Sequence, residues 1–192
     1  MTASRLQDAA LARFARQGFD ATSMNEIAAD VGIRKPSVYA HFRNKDELFL
    51  SLIPQLIEAE LEHARTVLVA GGDARQPLLA YLKSIQTRFE SSHRVEFWVR
   101  MLFAPPYHLH DVVMAPMHAF MDELEGIIRK LLKGSSLVPN AGGLGVEVLT
   151  AAYMGMIDSL HSELLFGGAK RYQRRLKASW AVFEAGVAPA SG

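Results

Sequence analysis

Basic and hydrogen-bonding side chains cluster in one short stretch near the start of this 192-residue chain. Residues 31–45 contain four cations and no acidic residue. The stretch carries Arg34, Lys35, Arg43 and Lys45, together with Ser37, Tyr39 and His41. Guanidinium and ammonium groups bind phosphates and guanine edges, and hydroxyl and imidazole groups add hydrogen bonds. The stretch therefore has the chemistry of a nucleic-acid contact, although the solvated face of an ordinary helical hairpin has the same composition.

The hydrophobic pattern around the basic stretch predicts two short helices joined by a tight turn. Ser23 and Glu26 have the spacing of a capping box, in which each side chain accepts from the other residue's backbone amide. Apolar residues then recur at helical spacing until Gly32, which ends the helix. A second short helix is expected over residues 35–42. Residues 23–42 thus predict a helix-turn-helix, which has the size of a major-groove reader.

Helical periodicity continues through almost the whole chain, and neither an alternating strand pattern nor a hairpin signal interrupts it. We expect an all-α protein of about nine helices, in which three N-terminal helices precede a larger helical domain. A second capping box, Asn44 to Glu47, opens the helix after the basic stretch. Pro54 predicts a kink or break of that helix between Leu50 and Ile53.

Seven short strings between residues 4 and 49 follow a specific pattern. They are Ala9–Phe14, Gly18–Phe19, Thr22–Met24, Ile27–Ala28, Gly32–Tyr39, His41–Phe42 and Asn44–Leu48. The pattern resembles the N-terminal domain of the TetR/AcrR family of bacterial transcriptional regulators. Many members have Ser or Thr where Arg34 stands and a small residue where Pro36 stands. Because these departures fall in the base-reading part, the operator sequence cannot be inferred from a relative.

The resemblance implies a DNA-binding role for nine residues. They are Thr22, Ser23, Arg34, Lys35, Pro36, Ser37, Tyr39, His41 and Lys45. Thr22 and Ser23 would cap a helix and touch phosphate, and Lys45 would hold phosphate at the start of the next helix, helped by its dipole. The four residues from Arg34 would face bases. Apolar neighbours such as Phe14 and Val38 belong to the core instead.

The resemblance also implies a division of the chain and a function. Residues 1–47 would form the DNA-binding domain and residues 48–192 a ligand-binding and dimerisation domain. The expected protein is a homodimeric, ligand-responsive repressor. It would release a palindromic operator when a small lipophilic or aromatic effector binds the C-terminal domain. Its partners would be double-stranded operator DNA, the effector and a second copy of the chain.

Methionine and aromatic side chains recur through the larger domain, and Phe97–Pro106 resembles a segment of one subset of the family. Methionine adapts to irregular apolar shapes, and tryptophan and tyrosine each offer one polar atom. The residues expected to line an effector pocket are Phe97, Trp98, Met101, Tyr107, Met114, Met117, Phe120, Met121, Tyr153 and Met156. An ordinary helical core explains each of them singly as well.

The two last predicted helices have the composition of a subunit interface. Small residues at helical spacing allow close backbone approach, and apolar residues lie beside them. The predicted interface residues are Leu149, Ala152, Gly155, Met156, Ser159 and Leu160. The mean hydropathy of +0.07 is high for a small monomer and agrees with a cavity or an interface. Five basic residues in 170–177 either form a solvated face or meet acidic groups of the partner.

Composition and spacing argue against several other classes of site. The chain has no cysteine, which excludes disulfides, thiolate metal sites and cysteine nucleophiles. The spacing of His108, His110 and Asp111 matches no known zinc signature, so we expect no metal and read these histidines as surface or pocket groups. Gly142 to Gly145 lack the third glycine of a dinucleotide fingerprint. We therefore expect neither a cofactor nor an enzyme.

The N-terminal residues lack a signal-peptide hydrophobic region, and the longest apolar stretch, residues 148–157, is too short to span a membrane. We expect a cytoplasmic protein without membrane contact. Two other function classes remain open at this point. One is a small-molecule binding module or enzyme without a DNA role. The other is a structural helical protein whose basic hairpin meets an acidic protein, and salt-dependent binding to DNA distinguishes the three.

Overall fold

The computed structural model describes residues 2–69, 73–137 and 144–187, and these residues are helical without a strand. They form ten α-helices and one 3-10 helix, Tyr107–Leu109. The α-helices are α1 (Thr2–Gln17), α2 (Met24–Val31), α3 (Lys35–Tyr39), α4 (Lys45–Leu50), α5 (Ile53–Val67), α6 (Arg75–Ser91), α7 (His93–Phe103), α8 (His110–Lys133), α9 (Val146–Phe166) and α10 (Gly168–Val187). The all-α prediction is confirmed.

The capping box at the start of α2 is confirmed atom by atom. The Ser23 hydroxyl accepts from the Glu26 amide, and the Glu26 carboxylate accepts from the Ser23 amide at 2.8 Å. Gly32 ends the helix with φ +72°, a left-handed conformation that costs a glycine little because it has no Cβ. The turn between α2 and α3 is therefore set by local sequence.

The expected second capping box forms only in part. The Asn44 side chain accepts from the Glu47 amide at 2.7 Å, as predicted. The Glu47 carboxylate, however, accepts from the amide of Arg43 rather than from that of Asn44. Arg43 also donates from its guanidinium to the same carboxylate. This ion pair holds the Glu47 side chain at Arg43, one residue before the N-cap.

The predicted break before Pro54 is confirmed, because α4 ends at Leu50 and α5 begins at Ile53. This break accounts for ten α-helices among the described residues where about nine were expected. Pro116, in contrast, does not break its helix, because α8 continues from His110 to Lys133 with this proline inside it. A proline at that depth removes one backbone hydrogen bond without ending the helix. The predicted loop over residues 134–145 lies partly outside the described residues.

The chain divides by its internal contacts into two compact units. Unit 1 comprises residues 1–59 and 89–118, and unit 2 comprises residues 60–88 and 119–192. Unit 1 thus contains the expected DNA-binding domain together with α4, α7 and parts of α5 and α8. The predicted domain boundary after residue 47 stays a prediction.

Unit 1 has an aromatic core. Phe14 of α1 lies 5.3 Å from Phe49 of α4 and 6.2 Å from Phe97 of α7, measured between ring centroids. Phe49 and Phe97 are themselves 5.2 Å apart. Edge-to-face and tilted contacts of this kind are favourable beyond the area they bury. The three rings therefore join α1, α4 and α7 into one body.

Unit 2 is built on the antiparallel pair α9 and α10. Gly168, with φ +73°, makes the turn between them. Two buried tyrosines then tie α6 to this pair. The Tyr153 hydroxyl of α9 donates to the Leu78 carbonyl at 2.7 Å, and the Tyr172 hydroxyl of α10 donates to the Leu82 carbonyl. Each hydrogen bond gives a partner to a buried hydroxyl group, and a buried polar group without a partner would lower the stability of the fold.

A polar cluster that the sequence reading did not identify lies inside unit 2. Glu60 is buried and forms an ion pair with Arg88 at 2.6 Å. One turn along, His63 Nε2 is 2.8 Å from Ser84 Oγ. His161 is also buried, and Arg88 is near enough to act on its charge. The sequence did contain a signal for this cluster, because two polar residues lie one turn apart on the inner face of α5 and two more on the inner face of α6.

Both histidines of this cluster are neutral at pH 7. Burial and, secondarily, the positive charge of Arg88 lower the pKa of His63 and of His161 to about 4. An unfolded histidine has a pKa of about 6.5, so the unfolded chain takes up these protons first as the pH falls. The stability that the neutral imidazoles contribute is complete above pH 6.5 and is lost between pH 6.5 and 4.

We expect the free energy of unfolding to fall between pH 7 and pH 5, and the variant His161→Phe to reduce that fall by roughly 1–2 kcal/mol. Urea denaturation at both pH values measures the difference. Tyr153→Phe is the control, because it removes a hydrogen bond but no group that titrates in this range. It should lower stability equally at both pH values. Equal pH dependence in wild type and His161→Phe would contradict the assignment.

Candidate nucleic-acid interface

The predicted base-facing residues lie on an exposed surface of unit 1. Arg34, in extended backbone, caps the start of α3, and Lys35, Pro36 and Ser37 form its first turn. All four are exposed, whereas Val38 on the same short helix is fully buried. A helix that buries one apolar residue and presents a continuous polar row has the arrangement that groove reading requires.

Tyr39 and His41 continue this exposed surface. The Tyr39 ring is 43% exposed, and the Lys35 ammonium lies 5.8 Å from its centroid. His41 is also exposed, in the turn after α3. Phe42 is buried directly after it, as predicted for a core residue. The α3 helix ends at Tyr39 rather than at Phe42, although the amides of His41 and Phe42 still donate to the Val38 carbonyl.

The two residues before α2 have different environments. Ser23 is exposed and is the N-cap of α2, as expected. Thr22 is only 2% exposed, and its hydroxyl donates to the Gly18 carbonyl at 2.8 Å. Thr22 therefore closes the α1–α2 turn instead of capping the helix. Its predicted phosphate contact stays a prediction, and in this conformation the side chain is occupied within the protein.

Lys45 has a structural role that was not predicted. Its ammonium donates to the carbonyls of Phe19 at 2.7 Å and of Thr22 at 2.9 Å. The same nitrogen lies 4.0 Å from the centroid of the Phe19 ring, within the range of a cation–π contact. Lys45 thus clamps the start of α4 to the α1–α2 turn. An ammonium has three donors, so one remains for a phosphate.

Two arginines of α1 hold α2 in place. Arg13 pairs with Glu26 at 2.9 Å and with Asp30 at 2.5 Å, and Arg5 donates to the Val31 carbonyl at 2.9 Å. The pairing with Arg13 lowers the pKa of Asp30, and its hydrogen bond to Asp30 raises the pKa of Arg13. The cations of unit 1 therefore fall into a group that supports the motif and a group that α3 presents outward.

The predicted effector-pocket residues are distributed over both units. Unit 1 contains Phe97, Trp98, Met101, Tyr107, Met114 and Met117, and unit 2 contains Phe120, Met121, Tyr153 and Met156. Met114 and Met121 are half-buried, and Tyr107 is 96% exposed. The other seven are buried. In unit 1, Phe97, Met101 and Tyr107 border one cleft.

The predicted interface residues of α9 divide into two sets. Leu149 and Leu160 are buried within the chain. Ala152, Met156 and Ser159 line a groove of about 450 Å³ between α9 and α10, and Gly155 is exposed on the same helix. The far wall of this groove comes from α10 and includes Val182, which is 74% exposed. The groove is mainly apolar and is open to an additional partner.

The basic residues of α10 are exposed, and one of them pairs within the chain. Arg175 forms an ion pair with Glu163 of α9. Among the described residues, no three histidine, aspartate or glutamate side chains converge as they would around a metal. His108 pairs with Asp46 at 3.1 Å, and His110 with its neighbour Asp111 at 2.9 Å. In the part of the chain that the structure describes, no helix combines the length and apolarity that crossing a bilayer requires.

Comparison with known proteins gives a family match to the region that contains this surface. Residues 6–52 match the model of bacterial regulatory proteins of the tetR family. The transcriptional activator FasR of Mycolicibacterium smegmatis is 30% identical over 94 residues, which are 49% of this chain and 42% of FasR. The regulator RutR of Escherichia coli K12 is 27% identical over 136 residues, covering 68% of this chain and 62% of RutR. The matched segment thus spans less than two thirds of either relative.

Solved structures share the fold over nearly the whole chain. The fatty acid degradation regulator FadR from Bacillus halodurans superposes with a TM-score of 0.70 and 14% identity, covering 94% of this chain and 93% of FadR. The relatives compared are named as regulators, in agreement with the expectation of a non-enzyme. Residues 6–52 are thus similar to the DNA-binding region of bacterial regulatory proteins of the tetR family, and the solved structures share the fold of the chain.

Proposed function

We propose that this protein is a DNA-binding transcriptional regulator that reads an operator with α3. The observation that carries the proposal is the exposed row of Arg34, Lys35, Pro36 and Ser37 at the start of a helix anchored by buried Val38. Guanidinium and ammonium groups in such a row reach guanine edges in the major groove. Tyr39, His41, Ser23 and Lys45 lie around it and would grip the flanking phosphates.

Two copies of α3 would read one near-palindromic operator. We assign DNA binding to residues 1–47, and effector binding and dimerisation to residues 48–192. A symmetric dimer would place its two reading helices in successive major grooves, about 34 Å apart. The net charge of +1 is sufficient, because binding depends on about four clustered cations per subunit and not on the total.

The effector would act by changing the population of the DNA-binding conformation. A ligand that prefers the non-binding state by a few kcal/mol is enough to release the operator. We propose repression relieved by a small lipophilic or aromatic effector. The proposed pocket residues of unit 1, Phe97, Trp98 and Met101, are buried and supply apolar contact area. FasR is named an activator, so a reporter-gene assay must establish the sign of regulation here.

A mobility-shift assay with the DNA upstream of the protein's own gene tests the DNA-binding function. We expect a shift at low salt that weakens as salt rises, since phosphate contacts release counterions. Adding candidate lipophilic or aromatic effectors should reverse it. A protein that fails to shift this DNA at any salt concentration, but binds an acidic protein, would be a structural module instead.

The proposed phosphate contact of Lys45 and its structural role can be measured separately. Lys45→Ala should reduce the salt slope of DNA binding by about one unit, because one phosphate contact is lost. It should also lower the free energy of unfolding by about 1–3 kcal/mol, because the Phe19 and Thr22 carbonyls lose their donor. Fluorescence anisotropy at several salt concentrations and urea denaturation measure the two effects.

Lys35→Ala is the matched control for stability. The Lys35 ammonium is exposed and no backbone carbonyl of the described residues accepts from it, so this variant should weaken DNA binding without a loss of stability. If Lys45→Ala loses stability but keeps the wild-type salt slope, then Lys45 is structural only and its phosphate role is wrong.

We further propose that the groove between α9 and α10 is the dimer interface. It is apolar, and it combines small residues on α9 with the exposed Val182 on α10. Burying such a surface against a second copy removes apolar area from water, which is the main favourable term in association. Arg175 of α10 lines the groove and pairs with Glu163 of α9.

Val182→Glu should shift the dimer to monomer, because it would bury an unpaired carboxylate in that interface. Sedimentation velocity at micromolar concentration measures the oligomeric state. The control is Val112→Glu, which changes an exposed valine of unit 1 in the same way. A Val182→Glu protein that stays dimeric would place the interface elsewhere.

A further inference from the structure

A cleft of about 470 Å³ lies within unit 1. It opens where the turn after α1 meets the C-terminal end of α7 and the prolines that follow it. Its volume falls within the range of small-molecule sites. All the residues that line it belong to unit 1, and none of the predicted DNA-binding residues is among them.

The walls of the cleft are predominantly aromatic. Phe14, Phe19, Phe49 and Phe97 all contribute, and Tyr107 stands at the rim with its ring exposed. Phe19 and Phe49 are 5.2 Å apart between centroids, and Phe14 stacks on Phe19 at 5.7 Å. Aromatic faces carry negative partial charge, so they attract organic cations as well as apolar groups.

The charged groups of the cleft also favour a cation. Asp20 lines the cleft and is exposed, and no ion pair among the described residues uses its carboxylate. Arg100 lines it too, but its guanidinium already faces Glu96 of the same helix at 3.8 Å. The C-terminal ends of α1 and α7 both lie at the cleft, and helix C-termini carry negative partial charge.

The protein already uses one of these rings to hold a cation. The Lys45 ammonium lies 4.0 Å from the centroid of the Phe19 ring. Phe19 therefore belongs both to the wall of the cleft and to the clamp at the start of α4. The same type of contact is available to a ligand cation at the exposed Tyr107 ring, whereas Phe14, Phe49 and Phe97 are buried against one another.

We propose that this cleft is a binding site for a small organic cation, an amine or quaternary ammonium group attached to an apolar or aromatic body. The apolar body contacts the edges of the phenylalanine rings that line the cleft, and the cationic group is held by Asp20 and the exposed Tyr107 ring. Phe97, Met101 and Tyr107 belong both to this cleft and to the proposed effector pocket, so the proposal rests on that effector function and adds the chemical class of the ligand.

Three probes of equal shape and different charge test the proposal: phenylbutylamine, phenylbutanol and phenylbutyrate. Isothermal titration calorimetry at pH 7 should show that phenylbutylamine binds at least about threefold more tightly than phenylbutanol, and phenylbutyrate most weakly. Asp20→Asn should remove the preference for the amine while leaving phenylbutanol binding unchanged. Asp8→Asn, an exposed carboxylate of α1 away from the cleft, is the matched control and should behave as wild type.

Filling the cleft tests its location. Ala104→Trp places a large side chain at the end of α7 and should weaken binding of phenylbutylamine by about tenfold or more. Ala21→Trp approaches from the opposite wall and replaces it if the first variant is unstable. Ala115→Trp, at an exposed position of α8 outside the cleft, should bind as wild type. Thermal unfolding establishes that each variant is folded.

Three results would overturn the proposal. The first is no detectable binding of phenylbutylamine to the wild-type protein. The second is tighter binding of phenylbutyrate than of phenylbutylamine, which would assign recognition to Arg100. The third is wild-type affinity in both folded cleft-filling variants, which would place the ligand elsewhere. Because the experiment contains no DNA, its failure rejects the cationic class of effector but leaves the proposed DNA binding untouched, and a failed mobility shift leaves this site untouched.

Discussion

The packing of Phe14 against Phe49 and Phe97 is the contact on which unit 1 depends. These rings come from α1, α4 and α7, which are far apart along the chain, and they bring the three helices together. α2 is then held on α1 through Arg13 and Arg5, and α3 follows α2 after Gly32. The position of the exposed basic helix is therefore a consequence of a buried aromatic core.

The cations of unit 1 show how one residue type serves two purposes. Arg13 and Lys45 form hydrogen bonds within the protein and orient α2 and α4. Arg34 and Lys35 lie on the surface that α3 presents outward. Charge alone does not separate these groups, because both contain long basic side chains within the first 45 residues. Their partners separate them: Arg13 pairs with residues of α2, and Lys45 donates to carbonyls of the α1–α2 turn.

Unit 2 has a cluster of polar side chains in its interior. The pair of Glu60 and Arg88, together with His63, Ser84 and His161, occupies a region that the tyrosines of α9 and α10 help to close. Burial keeps both imidazoles neutral, and it makes unit 2 sensitive to acid. The outer faces of α9 and α10, in contrast, present small and apolar residues along one groove.

Local interactions were readable from the sequence, since they join residues within one turn of helix. The Ser23 capping box, the left-handed Gly32 and the break before Ile53 are of this kind. The short strings between residues 4 and 49 also indicated the resemblance to the family whose model matches residues 6–52. Tertiary packing alone decided the Lys45 clamp, the polar cluster of unit 2 and the aromatic cleft. Each of these joins side chains that are dozens of residues apart, and no local spacing encodes which of them meet.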